Sequence, residues 1–205
     1  MARPSNPELP AAILEAAEKR VAASGHDGLN MRDLAADVGV TPAALYYYFA
    51  SKERILLELR LRAACRLSET MRKIDGSHGA RAAIRALGVA YIAFAEEHPH
   101  LYGLLVETRI GAELASGEET ETLRLPYDAA RRLLENLVDR GLCVCDPDGR
   151  AAIGWILLHG FCSLLAAGNL EAVSRLDRET LKETFLEYFG TGPFIDGEPG
   201  RTAPD

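Results

Sequence analysis

A short segment of the chain concentrates side chains that can donate hydrogen bonds to phosphate oxygens. Tyr46, Tyr47 and Tyr48 are consecutive, and each carries a phenol hydroxyl. Lys52 follows within one helical turn and adds an ammonium group. The small Ala43 lets a helix approach a base edge closely, and its methyl can contact a thymine methyl. The candidate nucleic-acid contacts are Arg32, Thr41, Pro42, Ala43, Ala44, Tyr46, Tyr47, Tyr48 and Lys52.

The residues around these side chains predict two short helices joined by a tight turn. The first helix spans about Met31 to Val38, with Asn30 as its N-cap. Gly39 supplies the permissive backbone of the turn. Thr41 then caps the second helix, and the proline after it occupies the first turn, where its missing N–H has no consequence.

The second short helix has a buried side and an exposed side. Leu45 and Phe49 lie four residues apart and point inward, whereas the three tyrosines spread around the other side. This arrangement predicts a helix-turn-helix whose second helix enters the DNA major groove. The alternative is a helical hairpin with a core of aromatic residues, but three consecutive tyrosines cannot all face one core on a 3.6-residue repeat.

Composition restricts the class of protein. The chain has 205 residues, of which 48% are hydrophobic, so it can bury a sizeable core. It lacks a run of eighteen apolar residues and an apolar N-terminal leader, so we expect a cytoplasmic protein.

The net charge of −7 is unevenly distributed along the chain. Residues 1–75 hold 11 basic and 10 acidic side chains, and residues 76–205 hold 12 and 20, so DNA affinity should be modest and salt-sensitive.

Apolar periodicity also predicts a first helix with a buried stripe, made of Ile13, Leu14, Ala17 and Val21. Asp146 and Asp177 are the predicted N-caps of the last two helices, the second of which ends at Tyr188. Gly141 is the predicted cap that ends the helix before them.

Apolar periodicity predicts helices along the rest of the chain and therefore an all-α fold. Residues 107–121 are polar and predict a loop or a frayed helix, and Pro126 predicts the start of the next helix, which ends near Arg140. We expect a three-helix helix-turn-helix domain over 1–53, a helical effector-binding and dimerisation domain over 54–190, and a flexible tail over 191–205.

One helix, from Pro147 to Ala167, is apolar on most of its surface. Such a helix has to be covered on all sides. We therefore expect a homodimer in which this helix and the last helix form a four-helix bundle with their mates. The alternative is a central core helix in a monomer.

The remaining chemistry-bearing residues predict no metal site and no cofactor. Cys143 and Cys145 lack the two-residue spacer of zinc and redox motifs, and two loop cysteines without a role are the simpler interpretation. A redox role for the pair stays open. His98 and His100 lie on either side of a proline and have no cysteine or carboxylate beside them in sequence, which indicates a helix junction.

The first sixty residues resemble the DNA-binding domain of the TetR family of bacterial transcription repressors. The likeness is carried by Ile13-Leu14-Glu15-Ala16-Ala17, Met31-Arg32-Asp33-Leu34-Ala35, Gly39-Val40-Thr41, and the string from Ala44 to Phe49 with Ser51-Lys52-Glu53. In that family the residues at the positions of the second helix contact bases and phosphates.

Two further motifs resemble the effector domain of the TetR subgroup that is named for its Trp, His and Gly. They are Trp155-Ile156-Leu157-Leu158-His159-Gly160 and Tyr91 to Tyr102, YIAFAEEHPHLY. For Trp155 and His159, core or interface packing is the competing interpretation. The ligand-binding candidates that the likeness suggests are Phe94, Tyr102, Arg109, Trp155, His159 and Cys162.

These features predict a dimeric repressor that binds a palindromic operator and releases it when a small apolar or amphipathic effector binds. The acidic second domain favours an uncharged or cationic effector. One alternative is a constitutive DNA-binding regulator or activator without an effector. The other is an enzyme that uses the helical cavity with His159 as base, for which the sequence shows no activated nucleophile or metal set.

Overall fold

The structure, a computed structural model, describes residues 7–106, 113–170 and 174–191. No strand occurs within these ranges, and the prediction of an all-α fold is confirmed. The helices are α1 Leu9–Ser24, α2 Met31–Asp37, α3 Pro42–Tyr48, α4 Lys52–Arg72, α5 Ala80–Glu97, α6 Pro99–Val106, α7 Gly117–Asp139, α8 Pro147–Ala166 and α9 Arg178–Thr191.

The chain forms two compact units. The first contains the residues up to Ala64 together with His98–Leu123, and the second contains Cys65–Glu97 together with the residues from Arg124 onward. The division falls inside α4, which is therefore shared by the two units. The boundary after residue 53 stays a prediction, and the tail predicted over 191–205 lies outside the described residues except for its first residue.

In the first unit α1 packs against α2 and α6. The predicted stripe of α1 is buried, with Ile13 and Ala17 fully enclosed. Arg20 of α1 donates to both carboxylate oxygens of Asp37 at the end of α2, one of them at 2.9 Å. The hydrogen bond from Arg20 lowers the pKa of Asp37, so the link persists into mildly acidic solution.

The turn between α2 and α3 follows the predicted chemistry. The Asn30 side chain accepts from the backbone N–H groups of Arg32 and Asp33, and the Thr41 hydroxyl accepts from that of Ala44. Gly39 has φ +69°. Its N–H donates to Ala36, and the next N–H donates to Ala35, which is the Schellman pattern that ends a helix in the left-handed region.

The start of α7 corrects the prediction. The helix begins at Gly117 rather than at Pro126. Of the two alternatives for residues 107–121, a loop or a frayed helix, the structure has a helix over 117–121, and 107–112 lie outside the described ranges. Ser116 and Glu119 form a reciprocal capping box: the Glu119 N–H donates to the Ser116 hydroxyl, and the Ser116 N–H donates to the Glu119 carboxylate at 2.8 Å. This cap stabilises a helix that then accommodates the proline in its interior.

The same carboxylate ties α7 to α4 within the first unit. Nη2 of Arg54 lies 2.6 Å from Oε1 of Glu119 and also contacts Glu58 one turn along α4. Hydrogen bonding from Arg54 and the cap hydrogen bond lower the pKa of Glu119 to about 2. The N-terminal cap of α7 and its contact with α4 therefore both depend on one ionised side chain.

In the second unit α5 packs extensively on α9 and also on α8. Gly88 allows the close approach of α9, because a Cβ at that position would lie 2.8 Å from Cδ2 of Leu186. Gly141 has φ +69° and ends α7 as predicted. Asp146 caps α8 and Asp177 caps α9, also as predicted, although α9 continues three residues beyond its predicted end at Tyr188.

Helix α8 is long and apolar enough to cross a membrane by length and composition alone. Core and interface helices of proteins outside the membrane meet the same test, and α8 carries Asp148 and a buried Arg150 near its start. One side of α8 is exposed, and its apolar residues there are Ile153, Trp155, Ile156, Leu157 and Leu164.

Glu119→Gln should lower the melting temperature at neutral pH because it removes the charge that Arg54 and the Ser116 N–H bind. The pKa of Glu119 is lower in the folded chain, at about 2, than its ordinary 4.5. The stabilisation is therefore complete above pH 4.5 and disappears as the pH falls toward 2. Melting curves of wild type and variant should converge over that interval. Glu118→Gln, one position earlier and exposed, is the control. A pH-independent difference would contradict this account.

Candidate nucleic-acid interface and ligand cavity

Helix α3 presents its tyrosines to solvent and its aliphatic side to the core. The side chain of Tyr47 is 79% exposed and that of Tyr46 is 48% exposed, whereas Leu45 is completely buried. The rings of Tyr47 and Tyr48 meet edge to face with centroids 5.3 Å apart. Such an edge-to-face contact restricts the rotamers of both phenols.

The start of α3 is also open to solvent. Thr41, Pro42 and Ala43 are exposed, and Ala44 is half-buried. Because these residues are small, the helix N-terminus can approach a groove floor without steric obstruction. Arg32, at the second position of α2, is exposed as well. The structure thus leaves the predicted contacts accessible on α2 and α3.

Lys52 has a position that the sequence did not predict. Its Nζ donates to the backbone carbonyl of Asp27 at 3.0 Å, and the side chain is half-buried. The ammonium has two further N–H donors for a phosphate. This contact joins the start of α4 to the loop before α2, so Lys52 has a structural task in addition to the predicted one.

The charges around α3 are nearly balanced. Asp33 and Asp37 are both close to Arg20, with Asp33 at 3.6 Å. The pKa of Glu53 is lowered by hydrogen bonds from its own backbone N–H and from Ser51, so this carboxylate is ionised beside Lys52. The hydrogen-bond donors that α3 presents to solvent are therefore chiefly neutral, since its cationic neighbours are few.

The second unit contains a narrow apolar cavity between its helices. Its volume is about 30 Å³, far below the ~300 Å³ of a drug-sized ligand site. Its wall is almost entirely apolar. The lining residues are Met71, Ile84, Leu87, Tyr91, Pro126, Tyr127, Ala130, Leu134, Arg150, Ala151, Gly154, Trp155, Leu158 and Phe189.

Arg150 is the charged member of this wall, and sequence reasoning missed it. Only 6% of the residue is exposed. Its Nη2 donates to the backbone carbonyl of Phe189 at 2.7 Å, and its guanidinium lies 5.2 Å from the centroid of the Phe189 ring. Nε is buried without a hydrogen-bond partner. Burial lowers the pKa of Arg150, although an arginine stays protonated. The sequence did contain a signal for this residue, since Arg150 is a lone arginine in a helix that is otherwise largely apolar.

Among the predicted ligand-binding residues that the structure describes, only Trp155 lines the cavity. It is 43% exposed and stacks on His159 at 5.5 Å. Burial lowers the pKa of His159, so the ring is neutral at neutral pH. Phe94 is buried in the second unit away from this wall, Tyr102 is buried in the first unit, and Arg109 lies outside the described residues.

The cysteines have the properties of unreactive thiols. Burial raises the pKa of Cys162 to about 12, so this candidate ligand contact is a neutral core side chain. Cys143 and Cys145 have their Sγ atoms 3.9 Å apart, and burial raises the pKa of Cys143 to about 11. Across the described ranges, no group of three His, Cys, Asp or Glu side chains could hold a metal ion.

Two parts of the chain match models of known protein families. Residues 13–59 match the model described as bacterial regulatory proteins, tetR family, and residues 84–188 match the tetracyclin repressor-like C-terminal domain. The HTH-type transcriptional regulator BetI of Agrobacterium fabrum is 27% identical over 144 residues, which cover 69% of this chain and 68% of that protein.

Solved structures show the same fold. A protein of unknown function from Rhodococcus sp. RHA1 is 25% identical and superposes with a TM-score of 0.74, covering 94% of this chain and 98% of that one. The TetR family regulator PfmR from Thermus thermophilus is 23% identical, with a TM-score of 0.64 and coverages of 88% and 98%. The C-terminal model alone spans more than half of the chain, and with the helix-turn-helix match before it, this chain belongs to the TetR family of DNA-binding transcriptional regulators, which are not enzymes.

Proposed function

We propose that this regulator is a dimeric repressor that binds a palindromic operator through α3 and releases it when a small apolar or amphipathic effector enters the second unit. The outward-facing tyrosines of α3, held in place by buried Leu45, carry the proposal. Phenol hydroxyls can donate to phosphates, and the alanine methyls can contact thymine methyls. With no Arg, Asn or Gln on α3, part of the sequence preference would come from DNA shape.

The exposed face of α8 supports a homodimer. Ile156 is 62% exposed, and Leu157 and Leu164 are about half exposed. A contiguous apolar face of this kind is uncommon on a monomer. Covering it with the same face of a second copy gives a closed two-fold interface, and two recognition helices then read two half-sites about 34–36 Å apart.

Helix α4 provides a route from the ligand cavity to the DNA-binding surface. Met71, in its last turn, lines the cavity, and Lys52, at its start, binds the loop before α2. Displacement of Met71 by an effector would change the position of α4 and therefore the spacing of the recognition helices in the dimer. The coupling free energy of such a two-state shift is typically about 1–3 kcal/mol.

The alternatives differ in how well they are supported. A constitutive DNA-binding regulator is consistent with the narrow cavity, and it predicts that no effector changes DNA affinity. An enzyme with His159 as base has no support in a family of transcriptional regulators.

The subgroup named for Trp, His and Gly remains a prediction, which the stacking of Trp155 on His159 supports. Because DNA is the partner, the cytoplasm is the proposed location.

A gel shift with DNA flanking the gene of this protein tests the assignment of α3. Tyr47→Phe removes only a hydroxyl and should weaken binding by about 1 kcal/mol, roughly five-fold in Kd, if that hydroxyl donates to phosphate. Tyr188→Phe removes the hydroxyl of a comparably exposed tyrosine on α9 and should leave Kd unchanged. Equal affinity of both variants and wild type would assign the contact to another surface.

Lys52→Ala should lower DNA affinity uniformly across sequences and reduce the slope of log Kd against log salt by about one. Because the ammonium also binds the carbonyl of Asp27, the melting temperature should fall slightly. Lys73→Ala, at an exposed position after α4, is the control and should change neither quantity. A lower melting temperature with an unchanged salt slope would make Lys52 purely structural.

Ile156→Glu should convert the dimer to monomers, because it places a charge on the exposed apolar face of α8. Light scattering at micromolar concentration measures the mass. Leu114→Glu introduces the same charge at an exposed leucine outside α8 and should leave the mass unchanged. A monomeric wild type, or a dimeric Ile156→Glu variant, would show that α8 is not the interface.

A further inference from the structure

The cavity of the second unit joins two features that rarely occur together, an apolar wall and a buried cation. Arg150 lies in the first turns of α8, and only 6% of it is exposed. The remaining lining includes Ile84, Leu87, Leu134 and Leu158. Burial of a charge in such surroundings is unfavourable unless the charge is paired and its hydrogen bonds are made.

The hydrogen bonds of Arg150 are incomplete. Nη2 donates to the carbonyl of Phe189 in the last turn of α9, where helix carbonyls lack intrahelical partners. Nε, by contrast, is buried and makes no hydrogen bond. Part of the guanidinium therefore fixes α9, and part remains available to an acceptor that the chain itself does not provide.

The charge of Arg150 is uncompensated among the described side chains. None of the carboxylates of the described residues forms an ion pair with its guanidinium. The acids nearest to it in sequence have other partners: Asp146 accepts from the N–H of Gly149, and Asp148 lies 3.7 Å from Arg131. The thiols of Cys143 and Cys145 are the ionisable groups whose negative charge would act on Arg150, and burial raises the pKa of Cys143 to about 11 and keeps it neutral.

From this juxtaposition we propose that the effector is an apolar monocarboxylate, whose carboxylate pairs with Arg150 and whose hydrocarbon part lies against the aliphatic wall. One guanidinium with a free Nε suits a single carboxylate, for which arginine is well shaped. The inference rests on the proposed effector site and specifies its ligand. It reverses the expectation, drawn from the acidic composition, of an uncharged or cationic effector, because surface charges are screened by salt whereas a buried pair is not.

The cavity has to widen to admit such a molecule. Its present volume is close to that of one water. Trp155 is the most exposed member of the wall, and it is the only tryptophan of the chain. Its displacement opens the wall toward solvent. The fluorescence of Trp155 therefore reports occupancy without any label.

The test uses the full-length protein and three probes that each have a ten-carbon chain: decanoate, decanol and decyltrimethylammonium. All three are used below their micellar concentrations. Trp155 fluorescence and melting temperature are recorded against probe concentration. The alcohol is the more hydrophobic of the first two, so a purely apolar cavity would prefer it. We expect decanoate to bind with a Kd lower than that of decanol by about ten-fold or more, the size of one charge-assisted hydrogen bond.

Arg150→Gln should raise the Kd of decanoate by about ten-fold while changing that of decanol little. Arg132→Gln removes the same charge from a position of α7 that does not line the cavity and should change neither Kd. Leu87→Phe should weaken both probes, since it fills the cavity without altering Arg150. If Arg150→Gln fails to fold because it loses the link to Phe189, the order of the three Kd values on the wild-type protein tests the carboxylate assignment instead.

The outcomes separate this inference from the proposed function. Decanol or the ammonium binding as tightly as decanoate would overturn the carboxylate assignment and leave an effector site in place. Decanoate binding that persists unchanged in Arg150→Gln would also overturn it. If none of the three probes binds saturably, the apolar effector site itself is wrong, and the constitutive regulator becomes the better description.

Discussion

A helix of seven residues does not hold its shape alone in water, and the DNA-binding surface of this protein depends on how α3 is fixed. Burial of Leu45 and Phe49 attaches one side of α3 to the core of the first unit. The left-handed Gly39 and the Thr41 cap then set the direction in which α3 leaves α2. With that side attached, the tyrosines have only solvent to face. Their exposure is a consequence of packing on the opposite side, not of any interaction of their own.

The charge distribution shapes how such a surface can recognise DNA. The chain carries a net charge of −7, and the carboxylates near α3 are ionised beside few cations. Long-range attraction to DNA is therefore weak. In the proposed complex, affinity comes from short-range contacts of phenols and small side chains and from the simultaneous use of two half-sites in a dimer. The exposed apolar face of α8 is thus as important to the proposed DNA binding as α3, because it would hold the second copy.

Local signals in the sequence were sufficient for most of the fold. Asn30, Thr41, Asp146 and Asp177 all cap the helices that they were predicted to cap. The prediction for α7 was wrong because Pro126 was given more weight than the Ser-x-x-Glu box ten residues earlier. Two reciprocal backbone hydrogen bonds and an ion pair to Arg54 outweigh the one backbone hydrogen bond that a proline removes. The outward tyrosines were predictable, because adjacent residues on a helix cannot share one face.

What the sequence by itself determined is the class of structure and the caps, turn and buried side of α3, the proposed recognition helix, since caps, turns and helical periodicity act over only a few residues. Tertiary structure alone decided which side chains line the cavity. Phe94, Tyr102 and Cys162 have the composition of a pocket and are packed elsewhere, whereas Arg150 faces an apolar wall assembled from α4, α5, α7, α8 and α9. Distance along the chain carries no information about such contacts, because a cavity forms where helices far apart in sequence fail to fill the space between them.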